Sequence, residues 1–443
     1  MRTYRTRSAV KAVAALATAS LMLAACGGTE EGASDEPVSE GSKVGVTDTA
    51  IKIGTHMPLT GVAAPGYSEI PTGQKAYFDF VNAAGGVNGR KIEFQVRDDT
   101  YNPATTTQVT NQLVQQDQIF AMLGGLGTPT HSAVVDFLNE EKVPDLFVSS
   151  GSIQWGDDPK AKPYTFGWQP NYEVEGKILG KYIAEKFPQA KVGLFLQGDD
   201  FGRDGAKGAK QFLSKQIVAE VTYTPGNTDV GPQIAELQAK GADFVVGFNV
   251  PSYTALSQLT ALRLNYKPQW AYSGVGSDIS LVGSLLNRFS KGAVTDGGLL
   301  NNVITTKYLP AIEDPADPWT KLFTEVWTKH GDGKPMTNFR LYGMAQAYTA
   351  VSAMQAAGKD LSREGIVKAV EEKGSKFEGP WLAPLEYTKE SHRGITGVSV
   401  VQIEGTKFKE LVGPQTTGKD ASKVEKFDKK PFAPTSNGLP NVK

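Results

Sequence analysis

From residue 51 onward the chain alternates short runs of β-branched and aliphatic residues with longer stretches whose apolar positions recur every three or four residues. Residues 51–57 form the first run and stop at Pro58, which predicts a strand. A helix then opens at Pro71-Thr72; Tyr77, Phe80, Val81 and Ala84 follow its apolar period until Gly85-Gly86 ends it. The same reading predicts strands at 92–97, 119–123 and 146–149, with helices at 103–116, 129–141 and 172–187. The rhythm then restarts, with strands at 192–196, 220–224, 244–248 and 270–273 and helices near 204–217, 230–240, 252–264 and 278–289. Farther on the pattern changes to consecutive helices at 316–329, 340–357 and 362–373 and one late strand at 397–403.

Regular strand–helix spacing predicts an α/β fold with parallel sheets covered by helices on both faces. Two such blocks predict two Rossmann-like lobes. Late helices that complete an early block require the chain to cross back, so the lobes are expected to be discontinuous. The expected division is 49–170 plus 304–390 for lobe 1 and 171–303 plus 391–415 for lobe 2, with a break near Gln169-Pro170-Asn171 as a crossing. Residues 416–443 read as a weakly patterned C-terminal tail.

The N-terminus follows another logic. Arg2, Arg5, Arg7 and Lys11 precede an apolar stretch at 12–25, which is shorter than the roughly 20 residues a bilayer span needs and fits a secretory signal. It ends in Leu23-Ala24-Ala25-Cys26-Gly27-Gly28, and Cys26 is the only cysteine of the chain. This arrangement looks like the lipobox of a bacterial lipoprotein, in which 1–25 is the signal peptide and Cys26 carries the lipid; the alternative is an ordinary signal followed by a cysteine. Residues 26–48, acidic and poor in large apolar side chains, read as a flexible tether.

Composition narrows the field. A chain of 443 residues accommodates two or three domains at about 100–200 residues each. Basic and acidic residues number 46 and 47; without the signal the balance is mildly acidic with both signs interspersed, which offers no footprint for nucleic acid. One cysteine excludes a disulfide framework, and His56, His131, His330 and His392 are too scattered to suggest a metal site. No metal or other cofactor is expected. The sequence has no G-x-S-x-G, H-E-x-x-H or P-loop motif. Asp98-Asp99 and Asp199-Asp200 could serve a glycosidase, but adjacent acids in such loops more often cap helices or face water, so no catalytic residue is assigned.

In open parallel sheets ligands sit beyond the carboxyl ends of the strands. There the sequence places Gly124-Gly125-Leu126-Gly127-Thr128-Pro129, which lacks the third glycine of a dinucleotide fingerprint. Thr128 reads as a hydroxyl N-cap with Pro129 at the first helical position, either serving only the helix or offering a carboxylate site. Ser149-Ser150-Gly151-Ser152 follows the next strand and adds hydroxyls and close backbone approach. The second block contributes the loops 198–204, with Phe201, and 249–253. Hydroxyls on one wall and an aromatic on the other suit a small ligand with one anionic and one apolar end.

The lipobox and tether, the segment from Thr47 to Gly54, Pro58-Leu59-Thr60-Gly61 and the stretch from Asn82 to Ile92 resemble the solute-binding proteins of branched-chain amino-acid ABC transporters. These are type I periplasmic binding proteins of the leucine/isoleucine/valine-binding family. The likeness extends through Asp98-Asp99, the Leu123–Thr130 loop and Asp199-Asp200-Phe201-Gly202, over roughly 48–410. It implies a Venus-flytrap with three hinge crossings that closes on its ligand, and a lipid-anchored role at the outer face of the cytoplasmic membrane or in the periplasm, with ABC permease subunits as partners. It further implies that Thr128 and Ser149–Gly151 (Ser149, Ser150, Gly151) hold the ligand's polar groups. Phe201 stands where relatives have a tyrosine, Tyr67 lies near the aromatic that closes over the ligand, and Asn249 falls near another cleft aromatic. One departure concerns the ligand: where amino-acid binders place a glutamate for the ammonium, this chain has Ser273-Gly274-Val275-Gly276-Ser277 and its first acid is Asp278. Relatives also bind amides, urea-like compounds and aromatic carboxylates, so these stay open beside amino acids. A lipoprotein sensor of the same fold is the alternative role.

Overall fold

A computed structural model describes residues 42–295, 297–417, 423–428 and 432–442. The expected signal peptide, Cys26 and most of the expected tether lie outside the described residues. Strands β1 (Ala50–Met57), β2 (Lys91–Asp98), β3 (Ala121–Leu123), β4 (Asp145–Val148) and β5 (Thr165–Gly167) form the first sheet. Its order is β2-β1-β3-β4-β5 and every pairing is parallel. Strands β6 (Val192–Gln197), β7 (Ile217–Tyr223), β8 (Phe244–Phe248), β9 (Gln269–Tyr272) and β10 (Ile304–Lys307) form the parallel part of the second. A hairpin of β11 (Leu385–Thr388) and β12 (Ser391–Ile395) stands apart, and β13 (Gly397–Glu404), β14 (Lys407–Thr416) and β15 (Glu425–Lys426) extend the second sheet antiparallel. That sheet therefore runs β15-β14-β13-β10-β9-β8-β6-β7.

The central strands are continuous apolar runs because helices cover both faces; β6, β8 and β4 are buried at every residue. In the first lobe the helix Asn338–Ala357 lies against Ile70–Ala83 along most of its length. Gly73 and Gly343 make that approach possible. A Cβ on Gly343 would sit 2.1 Å from the Ile70 carbonyl oxygen, and one on Gly73 2.2 Å from that of Arg340. The two lobes are closed on each other: Met57, Tyr67, Ile70 and Leu126 of the first pack into the core of the second.

Three segments carry the chain between lobes, after β5, after β10, and at Thr396 between β12 and β13. They run side by side. The Ile395 amide donates to the Trp168 carbonyl at 2.7 Å and the Leu382 amide to that of Tyr308 at 2.9 Å. A fourth passage lies in the tail. Beyond β15 on the second lobe, the chain is back on the first, where the Trp319 indole donates to the Phe432 carbonyl (2.6 Å) and the Tyr77 hydroxyl to that of Gly438 (2.8 Å). Leu439 and Val442 pack on the first lobe's core.

Several expectations are corrected. β10 pairs with β9 and β13, so 304–307 belongs with the second lobe, while the hairpin up to Ile395 stays with the first, where the Tyr387 hydroxyl donates to the Gly167 carbonyl at 2.7 Å. Residues 42–48 are not tether: the Arg363 amide donates to the Ser42 carbonyl (2.9 Å) and the Lys52 amide to that of Gly45 (2.8 Å). The second sheet is mixed rather than wholly parallel, because a two-residue turn with Gly405 at φ 63° folds β14 back on β13. The helix expected at 129–141 is two short pieces, Thr128–Ser132 and Val135–Glu140, broken at Val134 (φ −129°).

Candidate functional site

A cavity of about 150 Å³ opens between the lobes beyond the carboxyl ends of β3, β4 and β10. Its first-lobe wall is a hydroxyl cluster. Thr128 Oγ1 and Ser150 Oγ lie 2.8 Å apart, and Ser149 Oγ accepts from Gln346 Nε2 at 3.0 Å. Tyr172, at the start of the first helix of lobe 2, stands over this cluster and packs on Phe201 with ring centroids 4.2 Å apart and planes tilted by 31°. Burial pushes the Tyr172 phenol up to about 12, so it stays a neutral donor at physiological pH. Tyr67 and Phe339 meet edge to face at 5.8 Å, and Tyr342 donates to Gln169 Oε1 at 3.0 Å. Tyr101 lines the wall with a left-handed backbone (φ 58°), unusual for a bulky residue and a local strain.

Several hydrogen bonds bridge the lobes around this cavity. Ser252 Oγ donates to the Val62 carbonyl (3.0 Å) and Gln197 Nε2 to the Tyr101 hydroxyl (3.3 Å). The Ile153 amide reaches Asp204 Oδ2 at 3.0 Å, Gln154 Nε2 reaches Asp200 Oδ2 at 3.1 Å, and Asn338 Nδ2 reaches Asp278 Oδ2 at 3.0 Å. Burial raises the Asp204 carboxyl to about 6, despite the stabilising bond from Ile153.

Two charged residues line the cavity. Asp278 comes within reach because Gly274–Gly276 forms a tight 3-10 turn before the helix Ile279–Phe289. Its Oδ1 accepts from the Leu281 amide at 2.7 Å, so it caps that helix, and burial raises its pKa. Lys307 closes the end of β10; burial holds its ammonium below the usual lysine range, with Glu313, Asp314, Asp317 and Glu410 opposing at longer range. Behind the wall, Glu175 is buried and accepts from the Ser273 hydroxyl (2.8 Å), the Gly274 amide (2.7 Å) and the Thr306 hydroxyl. Glu175 thus holds the Ser273 loop from another helix and does not itself line the cavity.

The sequence candidates separate as follows. Tyr67, Thr128, Ser149 and Phe201 line the cavity; Ser150 and Gly151 line a smaller adjoining space, with Ser150 joined to Thr128. Asn249 lines neither. It is fully buried and donates to Thr254 Oγ1 at 2.6 Å, so its place in the wall is taken by Val250. Thr128 is not the cap: Gly127 occupies that position, no side chain caps the short helix, and the Thr128 hydroxyl turns to Ser150. Asp98 accepts from the amides of Leu59 and Thr100, and Asp199 caps Phe201; the acid pairs are structural. Reasoning from sequence missed Tyr101, Tyr172, Lys307, Asp278 and Tyr342. Of these, Lys307 was reachable, since it ends a strand, but the four-residue β10 lay unrecognised after a long irregular stretch.

Beneath the hydroxyl wall runs a fully buried chain of hydrogen bonds. Asp99 Oδ2 meets His56 Nδ1 at 2.8 Å, His56 Nε2 meets His131 Nδ1 at 2.9 Å, and His131 Nε2 meets Asp145 Oδ2 at 2.8 Å. It links β1, the loop bearing Tyr101, the turn bearing Thr128, and β4.

Comparison with known proteins agrees with this architecture. The family model of the periplasmic binding proteins matches residues 50–407. An amino acid binding protein of Pseudomonas aeruginosa is 27% identical over 198 residues, 44% of this chain and 52% of that protein. The chain thus matches about half the length of that relative. A Leu/Ile/Val-binding protein homologue of Brucella suis biovar 1 is 24% identical over 336 residues, 73% of this chain and 83% of its own. Among solved structures, a branched chain amino acid ABC transporter protein from Thermus thermophilus with bound valine superposes with a TM-score of 0.73 at 22% identity, covering 84% of this chain and 98% of that one. A fatty acid ABC transporter substrate-binding protein from Thermomonospora curvata gives 0.72 at 21%, covering 86% and 96%. A two-lobed α/β body, a cavity at its strand ends and a family match spanning most of the described residues lead to one statement: the chain belongs to the periplasmic binding protein family.

Proposed function

We propose that this protein is the solute-binding component of an ABC importer, held by a lipid on Cys26 at the outer face of the cytoplasmic membrane or in the periplasm. It captures a small carboxylate- or amide-bearing solute between its lobes and presents it to permease subunits; it is a binding protein rather than an enzyme. The observation that carries this reading is the cavity itself. Hydroxyls of Thr128 and Ser149 stand on one lobe, Phe201 and Val250 on the other, and the lobes hydrogen-bond around them. A site of this build binds a ligand with a polar end and an apolar body, and its closure links capture to a shape a permease can recognise.

The test is thermal unfolding of the purified protein against amino acids, amides and small carboxylates. A true ligand at 100 times its Kd adds about 2.7 kcal/mol, a shift of several degrees. A panel that leaves the melting temperature unmoved throughout, together with no solute captured from a cell extract, would remove the reading.

A further inference from the structure

Of the two charged side chains that line the cavity, one has no counterpart. Asp278 is engaged by the Leu281 amide and Asn338, and Thr128, Ser149 and Tyr342 each have a hydrogen-bond partner. Lys307 has none: among the described residues its ammonium makes no ion pair, hydrogen bond or cation–π contact, although it is only partly exposed. Its acidic surroundings, Glu313, Asp314, Asp317 and Glu410, all stand beyond ion-pair distance, and Glu313 is occupied by Asn338 Nδ2 at 3.1 Å. Most of the residues that line the cavity with it are apolar or aromatic, among them Tyr308, Leu309, Pro310 and Phe408.

A partly buried ammonium without an anion is costly to keep, and a neutral side chain of the same length would cost less. Its placement also matters. Lys307 ends β10 in the second lobe, whereas the hydroxyl cluster belongs to the first. A ligand lying along the cavity from one to the other touches both lobes only when they close.

We propose that Lys307 is the counter-charge for an anionic group of the ligand, so that the transported solute is an organic acid with an apolar or aromatic body and a net negative charge. This rests on the solute-binding reading and narrows it. The hydroxyl wall takes a neutral polar group, the aromatics take the body, and the acid meets Lys307. A zwitterionic amino acid fits less well, because its ammonium finds only Asp278, already held by two donors.

The experiment compares matched probes on the full mature chain: 4-methylpentanoate with 4-methylpentanamide, phenylacetate with phenylacetamide, and L-leucine. These are titrated by calorimetry into the wild type, Lys307→Gln and Lys307→Arg, and a cell extract is passed over each so that captured solutes can be weighed by mass spectrometry. The expected result is that an acid binds more tightly than its amide, that Lys307→Gln weakens the acid by about ten- to a hundredfold while sparing the amide, and that Lys307→Arg restores most of the loss. Without ligand, Lys307→Gln should melt no lower than the wild type, since it removes an unpaired charge. The proposal is overturned if acid and amide bind alike, if Lys307→Gln keeps the acid within about twofold, if leucine binds and the acids do not, or if the ligand-free variant melts several degrees lower. In those cases the solute-binding reading stands; only failure of every probe and of extract capture would take both down.

Discussion

His56 Nε2 and His131 Nδ1 face each other at 2.9 Å with both rings at 0% exposure. Their outer nitrogens each face an aspartate oxygen at 2.8 Å. Three such contacts in a row require three protons, whereas two ionised aspartates and two neutral imidazoles carry two. All three bonds can form together only with one proton beyond those two. With four histidines in the sequence, selective nitrogen-15 labelling and NMR can count the protonated ring nitrogens. Only two protons on this pair would mean the rings are in contact without a bond.

Removing one ring should be severe. His131→Ala strands His56 and, among the described residues, leaves Asp145 with Thr165 Oγ1 (3.0 Å) as its remaining side-chain partner in the core. Breaking a buried charged network of this sort costs about 3–5 kcal/mol. Urea unfolding of the variant should show that loss, and a change under about 1 kcal/mol would mean the chain of bonds is not structural.

The Asp204 carboxyl, raised to about 6, gives stability a specific pH dependence. A carboxyl whose folded pKa lies above its unfolded value takes up its proton first in the folded state, so this group adds stability as pH falls from 7 through 6 toward 4. The gain between pH 7 and 5 is roughly 1 kcal/mol. The bond that Asp204 accepts from Ile153 of the opposite lobe favours the carboxylate and so works against this uptake. Urea midpoints at the two pH values should differ between wild type and Asp204→Asn by this amount; identical pH profiles would refute it.

Thr128→Ala now separates stability from binding more cleanly than a capping threonine would. It loses the bond to Ser150 and should cost about 0.5–1.5 kcal/mol of stability. If the ligand's polar end uses the same hydroxyl, affinity falls further, by about tenfold or more for a charged acceptor, and Thr128→Ser restores it. Calorimetry showing unchanged affinity in Thr128→Ala would move the polar end of the ligand elsewhere.

Gly394 is pinned between hinge strands. A Cβ there would meet the Trp168 carbonyl oxygen at 2.0 Å, a backbone atom with no rotamer to yield. Gly394→Ala should cost about 1–3 kcal/mol. It should also shift the balance between open and closed lobes, seen as a larger radius of gyration in small-angle scattering with saturating ligand. A variant that melts and scatters like the wild type would show that the hinge strands part easily.

Cys26→Ser should leave the chain unlipidated and soluble. Phase separation in a nonionic detergent checks this: equal partitioning of variant and wild type would dismiss the anchor.

The strand–helix rhythm was legible wherever runs were long and apolar, as in Phe244–Phe248 and Tyr172–Lys186, because burial on both faces imposes a pattern that local sequence carries. It was not legible in β5 and β10, whose three and four residues are too few to show a period and are strands only because a sheet is there to receive them. Around the cavity, Thr128, Ser149 and Phe201 could be placed from sequence because they follow recognisable strand ends. Asn249 follows one too, yet its side chain turns inward to Thr254, whose hydroxyl is itself held by the Gly276 carbonyl at 2.7 Å on the turn after β9. His56 and His131, far apart in sequence, looked scattered until the fold stacked them. Long-range pairing of that kind leaves no local signal.

The returning tail has a practical use in measurement. Glu425 is on the second lobe and Asn441 on the first, both exposed and close together in sequence. Two fluorophores attached there would form a ruler across the cleft, reading the angle between lobes from a single short stretch of chain and leaving the ligand cavity untouched.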